Sequence, residues 1–125
     1  MLLLDTNILI EAERPGGEAL RRWIDEEHRS VSAASLVEVF RYQKLTVDER
    51  KRFDALFASL QVLPVSADVV RKAEELRKQR KMSIGDAIIA ATALVFEREL
   101  ITRNSKDFAG INALAVLNPP ELLSP

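Results

Sequence analysis

The tightest constraint on this chain lies at its start. Three leucines, Leu2-Leu3-Leu4, run into Asp5-Thr6-Asn7 and then into Ile8-Leu9-Ile10. An apolar run this short reads as a strand buried on both faces, as in a parallel sheet. Asp5 then falls at the carboxyl end of that strand, the edge where open α/β sheets bind ligands. Asp and Asn also end strands and cap helices without doing chemistry, so Asp5 alone is as readily structural as functional.

The alternation continues along the chain. Ile8 to Glu13 predicts one or two helical turns, broken by Arg14-Pro15-Gly16-Gly17. Ala19, Leu20, Trp23 and Ile24 recur at helical spacing within Glu18 to Glu27, and His28 reads as a helix-end residue. Val31-Ser32-Ala33 is a second strand. Ser35-Leu36-Val37-Glu38 has capping-box spacing and opens a helix to about Lys44. Thr46 or Asp48 opens the next, with Phe53, Leu56, Phe57 and Leu60 as its stripe. Val62-Leu63 is a third strand, ended by Pro64. Ser66 or Asp68 starts a helix to about Lys81, with Val69, Val70, Ala73 and Leu76 inward. Ser83-Ile84-Gly85-Asp86 repeats the capping-box pattern. The helix it opens, Ile84 to Arg98, is apolar on most sides and must be buried against the sheet. Leu100 to Thr102 and Leu114 to Leu117 are the last strands, with one short capped turn, Asn104 to Asp107, between them.

Strands alternating with helices predict a three-layer α/β/α fold. The expected sheet is parallel and five-stranded, in order 3-2-1-4-5, with right-handed crossovers and helices on both faces. Asp5 and Asp107 would then flank the crevice at the switch point.

The 125 residues suit a single domain, and 47% hydrophobic residues suit a globular core. No cysteine is present, so neither a disulfide framework nor a thiolate metal site is expected. No stretch predicts a membrane span or a signal peptide, which fits a cytoplasmic address. The net charge of −1 leaves nucleic-acid binding to local patches.

Four acids fall at or just inside predicted helix starts: Asp5, Glu38, Asp86 and Asp107. Each alone is well explained as a cap, Glu38 and Asp86 as third residues of capping boxes. Together at one sheet edge they would repel and raise one another's pKa, which a divalent cation relieves. One histidine and no cysteine exclude a usual zinc site, whereas carboxylates with water suit Mg²⁺ or Mn²⁺. Such an ion suits phosphodiester cleavage. Asp5 is the expected direct ligand, Asp86 shares the metal or binds it through water, and Glu38 holds or activates the attacking water. Thr6, Asn7, Ser35, Thr102, Arg103 and Asn104 are polar neighbours able to orient ligands or phosphate, or to serve as plain caps and turns.

Four motifs, in this order and separation, resemble those of a PIN domain: Leu3-Leu4-Asp5-Thr6-Asn7-Ile8-Leu9, Ser35-Leu36-Val37-Glu38, Gly85-Asp86-Ala87-Ile88-Ile89-Ala90-Ala91-Thr92-Ala93 and Ile101-Thr102-Arg103-Asn104-Ser105-Lys106-Asp107-Phe108. With the overall length, they resemble the compact VapC-type toxins. The resemblance implies a metal-dependent ribonuclease acting on RNA. It also implies a homodimer neutralised by an antitoxin whose C-terminal segment blocks the site. Matched by motif, Asp5, Glu38 and Asp86 are the acidic triad. Several relatives carry an acid where this chain has Asn104, so the fourth position falls to Asp107 or to Asn104.

Basic residues are dense between Arg71 and Lys81, interleaved with Glu74 and Glu75, which reads first as a solvated helix face. Arg80 and Lys81 precede the Asp86 helix, and Arg41 and Lys44 follow Glu38. Together with Arg103 these are the candidate RNA contacts. Three other readings exist. A receiver-like phosphoacceptor would need an Asp after the third strand and a Lys after the fifth, where this chain has Pro64-Val65-Ser66 and Asn118-Pro119. A PIN-like domain kept for binding alone would cut no RNA. In a third reading the acids are only caps in an α/β domain of other function, and need not converge.

Overall fold

The computed structural model describes residues 1–27, 29–41 and 44–120; His28 lies outside them. Among the described residues five strands form one parallel sheet: β1 (Leu2–Leu4), β2 (Ser30–Ser32), β3 (Gln61–Leu63), β4 (Glu99–Ile101) and β5 (Val116–Leu117). Their order is β3-β2-β1-β4-β5, as the alternation predicts. It differs from the 2-1-3-4-5 order of receiver domains, and that alternative falls.

Among the described residues seven helices connect the strands: α1 (Thr6–Ala12), α2 (Glu18–Glu26), α3 (Ala33–Phe40), α4 (Val47–Ala58), α5 (Ala67–Gln79), α6 (Ile84–Val95) and α7 (Ser105–Phe108). Successive strand residues point to opposite faces, so the two central strands feed two cores. Leu3 and Leu100 pack with α5, α6 and Phe108 on one side. Leu4 and Ile101 pack with α1 to α4 on the other, around Ile8, Leu20, Val39 and Phe53. Both faces are covered, which is why the central strands are apolar throughout. No helix among the described residues is long and apolar enough to cross a membrane.

Several boundaries differ from expectation for identifiable reasons. Ser32, not Ser35, caps α3, because it is the residue where β2 ends; its Oγ accepts from Ala34 N at 3.1 Å. Ser35 is therefore buried inside α3, and Glu38 is its sixth residue rather than the third of a capping box. The helix stops at Phe40, short of Lys44. Phe40 packs edge-on against Phe53 and Phe57, at 6.5 and 5.5 Å, and the complete capping box of Thr46 with Glu49 starts α4. Val70, expected inward, is 44% exposed, because Val69, Ala73 and Leu76 already fill the inward face of α5. The Ala-rich helix ends at Val95 instead of Arg98. Glu97 takes φ 55°, and Arg98 N bonds Ala93 O at 2.8 Å, a Schellman closure built on a non-glycine residue.

Candidate active site

The site grows out of the end of β1. Asp5 N donates to Ile101 O at 2.9 Å, so the β1–β4 ladder holds its backbone one residue past the strand. Its carboxylate is buried and both oxygens are engaged. Oδ1 accepts from Thr6 N at 2.8 Å, which makes Asp5 the N-cap of α1, and Oδ2 accepts from Thr102 Oγ1 at 2.7 Å. Thr102 is fixed in turn: its N–H donates to Leu117 O at 3.0 Å, and its Oγ1 accepts from Asn104 N at 3.0 Å.

A second chain of bonds leads from Asp5 to Glu38. Thr6 Oγ1 lies 3.3 Å from Glu38 Oε1 and 2.9 Å from Ser35 Oγ. A threonine hydroxyl has one proton and an ionised carboxylate has none. Thr6 therefore donates to Glu38 and accepts from Ser35. Ser35 is fully buried, so Thr6 is also what satisfies its hydroxyl. Glu38 rests against the start of α6: a Cβ built on Gly85 would stand 3.4 Å from Oε1, an ordinary contact. The partial positive charge of a helix N-terminus favours a carboxylate there.

Asp86 is the third residue of α6, and its N–H donates to the capping Ser83 Oγ at 3.1 Å. Asp107 sits exposed on α7, its N–H bonded to Asn104 O at 3.0 Å. Asn104 precedes α7 without a side-chain cap bond, contributing backbone groups alone.

Burial and neighbouring charges both act on these acids. The Asp5 carboxyl is pushed above its ordinary range chiefly by burial, with the Thr102 and Thr6 bonds opposing and the charges of Asp86 and Asp107 adding. Glu38 is raised by burial, held back by Thr6, and raised further by Asp5 and Asp86, with Arg41 opposing. Asp86 is raised by burial, countered by Ser83, and raised by Asp107. Asp5 thus feels the charges of Asp86 and Asp107, and Glu38 those of Asp5 and Asp86. Among the described residues no three acidic or histidine side chains stand close enough to hold an ion outright. The donors are hard oxygens in excess negative charge, which fits Mg²⁺ or Mn²⁺ with part of its coordination left to water.

A groove of about 410 Å³ leads away from Glu38, lined by Thr6, Asn7, Ile10, Glu11, Arg14, Glu38, Arg41 and Arg103. Arg103 reaches Glu11 Oε2 through Nε at 3.1 Å and Nη2 at 3.0 Å. Of the expected RNA contacts, Arg41 and Arg103 line this groove. Lys44 and Lys81 are exposed but do not line it, and Arg80 turns its guanidinium onto backbone carbonyls. The sequence reading missed Arg14, taken there only as part of a helix-breaking turn. Asn7 and Glu11 share one face of α1, and Arg14 follows its end on the same groove.

Comparison with known proteins gives a consistent result. The family profile described as PIN domain matches residues 2–114. The chain is 30% identical over 130 residues to Ribonuclease VapC of Rickettsia bellii, covering 95% of this chain and 96% of that protein. It is 33% identical over 128 residues to Ribonuclease VapC1 of Rickettsia felis, covering 93% and 94%. Among solved structures, a toxin–antitoxin complex from Klebsiella pneumoniae superposes with a TM-score of 0.75 at 33% identity, covering 94% of this chain and 96% of the other. VapBC2 of Rickettsia felis, bound to a DNA fragment from its promoter, superposes with a TM-score of 0.79 at 23% identity over 94% and 97%, a likeness of fold alone.

Proposed function

The chain belongs to the PIN-domain family, among its VapC-type ribonuclease toxins, and from that premise we propose that it is a Mg²⁺- or Mn²⁺-dependent endoribonuclease whose site is Asp5, Glu38, Asp86 and Asp107. The observation that carries this reading is Glu38. In the middle of α3 it caps nothing, yet it is half-buried and within electrostatic reach of Asp5 and Asp86. The Thr6 bond and the α6 N-terminus favour its charge, but burial and the charges of Asp5 and Asp86 oppose it.

Asp5 and Asp86 would hold the cation, with Asp107, rather than the uncharged Asn104, as the fourth acid. When bound, the cation offsets negative charge building on the scissile phosphate and acidifies a water. The chain's own groups do the rest. Thr6 ties Glu38 Oε1, leaving Oε2 for the proton of the attacking water. Burial, the largest cause of the upward shift of Glu38, favours its taking up a proton. Thr102 and Thr6 N keep Asp5 aimed while ionised. Arg14, Arg41 and Arg103 line the path for phosphates flanking the cut.

Assembly follows the same premise. Exposed Ile84 and Val70 border a shallow groove on α5 and α6, a surface for a symmetric homodimer. The opening between α1, α3 and α4, lined by Ile10, Val39, Leu45 and Phe53 and rimmed by Glu13, Arg14, Glu49 and Arg52, fits an amphipathic antitoxin helix. The proposed setting is the cytoplasm. Purified protein should fragment RNA in Mn²⁺ and stop when EDTA is added. Intact RNA under both conditions would favour a domain kept for binding alone.

A further inference from the structure

The link between α5 and α6 makes contacts that the proposed chemistry does not use. Arg80 closes α5 with its N–H on Leu76 O at 3.0 Å, then sends its side chain across to α7. Its Nη1 donates to Ala109 O at 2.5 Å and its Nη2 to Asp107 O at 3.2 Å. Those carbonyls lie at the carboxyl end of α7, where backbone oxygens lack helical partners and a cation is favoured. The support matters there, because α7 has four residues and no side-chain cap at its start. A helix that short does not sustain itself. The same link is anchored at its other end. Arg77 Nε donates to Met82 O at 3.2 Å, and Ser83 Oγ accepts from Asp86 N at 3.1 Å. Residues 80–83 thus bond the backbones of both Asp86 and Asp107.

We propose that Arg80 is a positioning residue: its forked guanidinium holds the Asp107 turn in register with Asp86, and so fixes the width of the surface half of the acidic site. This rests on the reading above that the two acids serve one cation. A lysine could carry the charge but not the fork, since a guanidinium presents two parallel N–H groups and an ammonium is a point charge.

Coulomb's law and positioning give opposite signs. If Arg80 acts only through its charge, removing it should tighten cation binding at a nearby acidic site. If it positions Asp107, removing it should weaken binding, by about tenfold as for other residues that orient metal ligands. The experiment is Mn²⁺ titration calorimetry on the full chain, for parent, Arg80→Ala, Arg80→Lys and the exposed neighbour Lys81→Ala. It is paired with hydrogen exchange in metal-free buffer at the amides of Asp107 and Ala109, which bond Asn104 O and Lys106 O. Expected are weaker Mn²⁺ binding in Arg80→Ala, a smaller loss in Arg80→Lys, and unchanged or tighter binding in Lys81→Ala. Exchange at the two amides should quicken in both Arg80 variants while the sheet amides stay protected. Parental or tighter Mn²⁺ binding in Arg80→Ala, or parental exchange at both amides, overturns the proposal. Should Arg80→Ala fail to fold, Arg80→Lys is judged by the same two outcomes. A parent that binds no Mn²⁺ defeats the metal reading, and exchange alone then decides the role of Arg80.

Discussion

The two halves of the acidic site are built differently. Asp5 and Glu38 are held from inside the protein. Both Asp5 oxygens are bonded, its backbone continues the β1–β4 ladder, and Thr6 joins it to Glu38 through a hydroxyl that also satisfies buried Ser35. Asp86 and Asp107 are held from the surface, by one capping serine, a four-residue helix and a cross-link from Arg80. Burial is the main reason Asp5 and Glu38 titrate high, and it is a cost the fold sustains without metal. The inner half is therefore fixed before any ligand arrives. The outer half has fewer side-chain restraints on its carboxylates. Substitutions in the inner half should damage chemistry outright, while those in the outer half should act through affinity.

The sharpest contrast sets Glu38→Gln against Asp107→Asn. Glu38→Gln removes the proposed base and should lower kcat about a hundredfold or more, with little change in KM. Asp107→Asn should cost about tenfold, and rising Mn²⁺ should recover most of it, because the exposed acid contributes charge. Steady-state kinetics across a Mn²⁺ series distinguishes the two. Equal losses that Mn²⁺ does not relieve would erase the difference between the halves.

Thr6→Val probes the inner network itself. It strips the hydroxyl from Glu38 and leaves Ser35 buried without its partner, so urea unfolding should show a loss of about 1–3 kcal/mol. The matching change outside, Ser83→Ala, removes one cap and should cost about 1 kcal/mol. A Thr6→Val protein as stable as its parent would show that the inner half is not held as described.

A smaller effect is the pH dependence of the metal-free protein. Asp5, Glu38 and Asp86 all have carboxyls raised above their unfolded values. Between the ordinary and the raised values the native state binds more protons than the unfolded state. Stability therefore falls as pH rises through that window, and the penalty is complete above it. Glu49, held low chiefly by its bond to the Thr46 backbone, works in the opposite direction at lower pH. Calorimetry in chelator should show the melting temperature dropping as pH climbs from the carboxylate range toward neutrality, with Mn²⁺ reducing that slope. A melting temperature that rises instead would contradict the shared repulsion.

Much of this was legible in the sequence because it depends on local pattern. The apolar run ending at Asp5 and the regular strand–helix alternation sufficed for the parallel sheet and its order. The topology places Asp5 at the carboxyl end of β1, as expected. The cap of α3 was misplaced because Ser32 and Ser35 are both able caps, and only the end of β2 decides between them. That error made Glu38 look more ordinary than it is. Arg14 stands in the turn after α1, where the Pro-Gly-Gly sequence reads as a break and says nothing of the groove it lines. The role of Arg80 depends on contacts across 27 and 29 residues, which no local pattern reveals.

The measurement that bears most directly on the site is Asp5→Asn. The structure makes Asp5 an N-cap as well as a candidate ligand, and Asn caps a helix about as well as Asp. The substitution therefore spares the structural role and removes the charge. RNA cleavage in Mn²⁺ and the Mn²⁺-induced melting shift should be recorded together for parent and variant. The expected result is a folded variant with cleavage reduced by about a thousandfold or more and the melting shift abolished. A variant that cuts RNA at the parental rate and keeps the parental shift would leave Asp5 a cap and nothing else, and would contradict the assignment of this site.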